Sequence, residues 1–153
     1  MVRNALLPYS LALVLVACSS NQTVDPGGGD GSAGTTVALA VSYQGRSVAV
    51  DLGTVATSSY KGVDLVRLSD AWARSEIAAD RTTLEFEFVG SDDFKPSSKG
   101  CVDLAGSVLD QGYIDPTSRN LTWDEALGFR GCYSVLGTVQ MNAHDPMNDA
   151  AAA

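Results

Sequence analysis

Apolar and polar positions cluster and alternate along this chain in a pattern that predicts a small set of elements. Val37-Ala38-Leu39-Ala40-Val41-Ser42 and Ser47-Val48-Ala49-Val50-Asp51-Leu52 are valine-rich runs separated by Gln44-Gly45, the pattern of a β-hairpin. Val55 to Ser59 is small and polar and reads as a loop running into Tyr60-Lys61-Gly62-Val63. Asp64 is an N-cap residue type, and Leu65, Leu68 and Trp72 follow at spacings of three and four, which predicts a helix with one buried face. Thr83 to Val89 alternates apolar with polar, so a strand would turn Leu84, Phe86 and Phe88 one way and Glu85 and Glu87 the other.

Gly90 to Gly100 is a long polar loop, and loops of this length often carry function. Val102 to Leu109 is expected as a short helix, and Gly112 to Thr117 is turn-rich. Thr122 and Glu125 have the spacing of a capping box, which predicts one or two helical turns over 122–127, stopped by Gly128. Cys132 to Met141 returns to strand character, with Tyr133, Val135 and Val139 pointing inward. After His144 come Asp145-Pro146 and an alanine-rich tail, expected to be disordered. The fold class predicted is α+β: a single compact domain of mixed β-sheet with short helices.

The first residues change how the rest is read. Arg3, the apolar run Leu6 to Val16, and Ala17 supply the basic start, short apolar core and small-residue cleavage site of a secretory signal. The run is shorter than the roughly 20 residues that span a bilayer. Leu15-Val16-Ala17-Cys18 resembles a bacterial lipoprotein signal, which implies cleavage before Cys18 and a lipid on its sulfur. Ser19, and not aspartate, follows Cys18, which by resemblance to enterobacterial sorting favours the outer membrane over the inner. Ser19 to Thr35 is rich in Ser, Asn, Asp and Gly and reads as a coil-like tether. The expected organisation is signal 1–17, lipidated Cys18 and linker 18–36, globular domain 37–142 and tail 143–153, the domain being of typical single-domain size.

The chain has ten Lys and Arg against eighteen Asp and Glu, a formal net charge of −8. Losing Arg3 with the signal leaves nine against eighteen. Such a balance argues against nucleic acid, which needs clustered basic residues. With Cys18 lipidated, Cys101 and Cys132 remain in an oxidising compartment, where a disulfide between them is the favoured reading. A metal thiolate pair or a redox-active pair is the alternative, and neither has the two-residue spacing those sites favour.

Three segments resemble the oxidoreductase molybdopterin-binding family, the sulfite-oxidase-like domain, in truncated form. Tyr60-Lys61-Gly62-Val63-Asp64-Leu65-Val66-Arg67-Leu68 is similar to that family's aromatic-x-Gly-Val-x-Leu-x-x-Leu helix entry. The strand to Val89 followed by Asp92-Asp93-Phe94 is similar to its strand leading into Asp-Gly-aromatic. Gly131-Cys132-Tyr133-Ser134-Val135-Leu136 is similar to its final strand. The resemblance implies a shared fold, with a Cys thiolate on molybdenum upstream of the Gly-Val motif and basic residues round the pterin phosphate. Asp51 to Ser59 contains no Cys, Arg, His or Lys. The expectation is therefore the scaffold without its cofactor, and a binding or structural domain; the alternative is an oxidoreductase or redox accessory retaining a molybdopterin or metal site.

No catalytic residue is assigned. The only histidine, His144, lies beside the tail, and no Gly-x-Ser-x-Gly turn is present. Asp92, Asp93, Asp103, Asp110 and Asp115 are oxygen ligands suited to calcium, but they fit no EF-hand spacing and Asp is a common turn residue. Asp124 and Glu125 are explained by a helix N-terminus. Tyr60, Phe94, Tyr113, Trp123 and Tyr133 are aromatics of a ligand groove or of the core. The candidate binding loop is Asp92, Asp93, Phe94 and Lys95, with Phe94 as apolar anchor for an envelope protein or small ligand.

Overall fold

The structure, a computed structural model, describes residues 38–129 and 131–149. The signal, Cys18 and the linker lie outside the described residues. β1 (Ala38–Tyr43) and β2 (Arg46–Asp51) pair antiparallel, with Tyr43 opposite Arg46. Gln44 and Gly45 both take positive φ (48° and 79°), as the tightest hairpin turn requires. The first hairpin thus forms where the valine runs place it.

A second hairpin follows where the sequence suggested a loop and a helix. β3 (Thr57–Tyr60) pairs with β4 (Val63–Arg67) across Lys61 and Gly62, whose φ values of 53° and 79° repeat the turn chemistry of the first. Helix α1 (Leu68–Arg74) starts only after Arg67, so Asp64 caps nothing and Leu65 belongs to a strand. The spacing misleads because β4 is covered on both sides: Val66 packs into the main core while Leu65 is buried on the opposite face. Leu68 and Trp72, one helical turn apart, do face the core.

β5 (Glu85–Gly90) keeps the predicted alternation, with Phe86 and Phe88 each 1% exposed. The expected helix at 102–109 is replaced by the short strand β6 (Leu104–Ala105) and a 3-10 turn over Gly106–Gln111. Gly106 there touches the Arg81 backbone, a contact that a continuous helix would not make. β7 (Gly112–Ile114) and β8 (Leu121–Trp123) then pair antiparallel. Thr122 consequently lies in a strand. The short turn that follows, Glu125–Leu127, is capped by Asp124, whose carboxylate accepts from the Ala126 amide.

The last strand, β9 (Thr138–His144), begins later than expected. Gly131 and Gly137 take positive φ (83° and 55°), so the segment between them is irregular, yet Tyr133 and Val135 are still buried. β9 continues past the expected boundary at 142, and α2 (Pro146–Asp149) follows it.

The strands form two sheets, β2-β1-β9-β5-β6 and β3-β4-β7-β8. β1 runs parallel to β9 and the other pairs are antiparallel, which makes the first sheet mixed. One core joins both sheets and α1: Phe88 meets Trp123 edge-on at 5.8 Å, and Trp72 meets Phe86 at 5.2 Å. The class is α+β, as the pattern predicts. Cys101 and Cys132 are disulfide-bonded, with Cα atoms 6.1 Å apart.

Candidate functional site

The outer face of the second sheet carries features that a merely solvated surface lacks. Strand alternation puts Val66, Ile114 and Leu121 on the core side, leaving Val63, Leu65, Tyr113 and Thr122 on the other. Leu65 and Tyr113 are only 5% and 8% exposed, yet neither belongs to the main core. Tyr60 reaches over this face: its ring stacks on Tyr113 at 4.6 Å, and its hydroxyl donates to the Trp123 carbonyl at 3.4 Å. A groove of about 340 Å³ remains, lined by Tyr60, Lys61, Val63, Leu65, Asp115, Ser118, Asn120 and Thr122.

The groove's polar groups are held by the backbone. Asp115 accepts from the amides of Thr117 (2.7 Å) and Ser118 (2.9 Å). The Ser118 amide outweighs partial burial and draws the Asp115 carboxyl below its ordinary value. Asn120 accepts from the Gly137 amide at 3.0 Å, tying the groove to the loop before β9.

A second concavity of about 440 Å³ is lined by Trp123, Asp124, Glu125, Gly128 and Phe129. Phe129 packs edge-on to Trp123 at 5.5 Å and tilted on Tyr133 at 4.7 Å, and the Trp123 indole N–H donates to the Tyr133 carbonyl at 2.9 Å. Gly128, left-handed at φ 65°, ends the Glu125–Leu127 turn and opens this side. Lys61 ion-pairs with Glu125, which ties a residue of the groove to one of the pocket. The hydrogen bond to Glu125 raises the pKa of Lys61, whose ammonium also lies 5.7 Å from the Tyr60 ring centre.

The candidate loop at 92–95 folds back beside β5. Phe94 is half-buried and packs against the core, so it does not stand free as an anchor. The loop closes on itself: the Gly90 amide donates to the Phe94 carbonyl (2.9 Å), the Asp93 amide to the Gly90 carbonyl (3.1 Å) and the Phe94 amide to the Asp92 carboxylate (3.2 Å). Lys95 donates to Glu87 at 3.0 Å, and Ser97 donates to its other oxygen at 2.8 Å. Burial works against the charge on Glu87, but these two hydrogen bonds prevail and lower its pKa. Phe94→Ala is accordingly expected to reduce stability by about 1 to 2 kcal/mol, less than a fully buried phenylalanine would lose. Urea unfolding measures it, and an unchanged midpoint would return Phe94 to the role of free anchor.

The acidic residues considered for calcium do not converge. Asp103 pairs with His144 at 2.7 Å, Asp110 with Arg81 at 2.7 Å, and Asp115 serves its own turn. Among the described residues no three His, Cys, Asp or Glu gather as a metal centre would require. Tyr133 donates to the Val102 carbonyl at 2.7 Å, and burial, with the nearby Asp103, pushes its phenol pKa up.

Of the five aromatics singled out in the sequence, Tyr60 and Trp123 line the two concavities, Tyr113 lies beneath Tyr60, and Tyr133 supports Phe129. Lys61, Asn120 and Phe129 carry no sequence signal for this role. The turn at Lys61-Gly62 was the available clue, since a hairpin there puts Tyr60 and Lys61 at a strand end from which their side chains reach Trp123 and Glu125. Among the described residues no helix is long and apolar enough to cross a membrane. Comparison with protein-family models, with curated proteins and with solved structures finds no match to this chain.

Proposed function

We propose that this protein is a lipid-anchored component of the bacterial cell envelope whose domain binds a ligand in the groove on the outer face of its second sheet and in the pocket beside β8, and catalyses no reaction. The observation that carries the binding reading is the pair of concavities linked by the Lys61–Glu125 ion pair. Binding sites of this kind combine aromatic walls with a few fixed polar groups in a cavity of roughly 300 to 1,000 Å³. The address rests on Leu15-Val16-Ala17-Cys18 and on the Ser-, Asp- and Gly-rich stretch after it, a composition suited to a tether. Ser19 after Cys18 favours the outer membrane.

The scaffold is of the sulfite-oxidase-like type without its molybdenum centre. Its support is the sequence likeness of the three segments, although residues 60–68 fold mainly as a hairpin and 131–136 as an irregular segment, together with the absence of Cys, Arg, His and Lys from Asp51 to Ser59. In the fold Asp51 caps the turn Leu52–Thr54 by accepting from the Gly53 amide, and Leu52 and Val55 are buried. Those side chains serve the local structure of the segment.

Acylation is the decisive test of the anchor. Cells fed a labelled fatty acid should label the protein and retain it in the membrane fraction, because two or more chains anchor stably. Cys18→Ser should abolish the label and release the protein or leave it unprocessed. Label retained by that variant would remove Cys18 as the lipid site.

A further inference from the structure

We infer that the pocket between Trp123, Phe129, Asp124 and Glu125 takes a small organic cation of the alkylammonium type; this assignment rests on the binding reading above and names the ligand's chemistry. Among the described residues, the two charged ones lining that pocket are both carboxylates, and its large apolar residues are the aromatics Trp123 and Phe129. An ammonium beside an aromatic ring is attracted by the ring's negative face, and the attraction grows as water is excluded. The carboxylates supply the countercharge. Asp124 spends one oxygen, at 2.9 Å, on the Ala126 amide and keeps the other for a ligand.

The chain itself shows this chemistry at the pocket's rim. The Lys61 side chain is an alkylammonium, and it lies both on Glu125 and 5.7 Å from the Tyr60 ring centre. Lys61 and Glu125 are 56% and 80% exposed, so the pair is readily exchanged for another cation. Eighteen acidic residues against ten basic raise the concentration of cations round the domain generally. An anionic ligand would have to displace Lys61 from Glu125 and then face both carboxylates. Lys61 is thus an internal competitor, and its removal should strengthen the site.

Choline and its uncharged isostere 3,3-dimethyl-1-butanol discriminate the charge from the shape. Titrated into the full-length protein in a maltoside detergent, choline should produce heat and change the tryptophan fluorescence, since Trp123 lines the pocket. The alcohol should bind about tenfold more weakly. Asp124→Asn with Glu125→Gln should weaken choline by about tenfold as well, with the fold intact because asparagine caps as aspartate does. Lys61→Met should tighten choline by about threefold, the release of an exposed ion pair. Equal affinity for choline and the alcohol, or indifference to all three substitutions, overturns the cation assignment and leaves a pocket that binds by shape. Binding of neither compound overturns the cation assignment and removes the support this pocket gives to the binding reading.

Discussion

Replacing Gly106 with alanine is expected to destabilise the domain by about 3 kcal/mol, the upper end of what overpacking usually costs. A Cβ on Gly106 would lie 1.8 Å from the Arg81 carbonyl oxygen and 2.7 Å from both the Arg81 carbonyl carbon and Phe86 Cε2. None of the neighbours is free to retreat. The Gly106 amide donates to the Leu84 carbonyl at 2.8 Å, and the Gly106 carbonyl accepts from the Arg81 guanidinium at 2.7 Å. Arg81 is also tied to Asp110, and Phe86 is 1% exposed in the core. Gly45→Ala is the control: a Cβ there meets nothing within 4 Å, and only the φ of +79° opposes it, so about 1 kcal/mol should be lost. Urea midpoints of the two variants test the argument. Equal losses would show that close approach at Gly106 is not what the glycine serves.

Removing the disulfide is expected to have a comparable or larger effect. Cys101 and Cys132 are 31 residues apart, and on the chain-entropy account closing such a loop stabilises the fold by about 3 to 4 kcal/mol. In a domain of this size that corresponds to a fall in melting temperature of roughly 15 °C for the double alanine variant. The consequences should be local as well as global. The bond holds Val102 where its carbonyl accepts from Tyr133, and Tyr133 in turn supports Phe129 at the pocket wall. Reductant should lower the wild-type melting temperature to that of the variant and leave the variant unmoved. A wild type as labile as the variant before reduction would mean that the bond contributes nothing to stability.

The candidate site was only partly legible in the sequence, and the reason is geometric. Tyr60, Tyr113 and Trp123 stand out as aromatics in any reading, but a run of letters does not say which of them share a surface. Tyr60 and Tyr113 stack although 53 positions separate them, because β4 lies between β3 and β7 and the Tyr60 ring spans it. Phe94 stands out equally among Asp, Lys and Ser, and the same fold draws it against the core. Polar neighbours in sequence are a poor guide to burial in a loop that folds back on a strand.

Local chemistry by itself determined the elements whose signals are short-ranged. The Gln44-Gly45 turn, the alternation through Phe86 and Phe88, the helix face of Leu68 and Trp72, the stop at Gly128 and the α+β class all follow from propensity and periodicity within a few residues. The pairing of Cys101 with Cys132 needed only that they be the two cysteines of the domain. Tertiary structure decided the rest. Leu65 at helical spacing became a strand residue because β3 and β7 were there to pair with β4. Val102 to Leu109 did not become one helix because Gly106 and Leu104 had partners on Arg81, Leu84 and Phe86. Where a short segment has near-equal local preferences, a few long-range hydrogen bonds and a buried face outweigh the fractions of a kcal/mol by which those preferences differ.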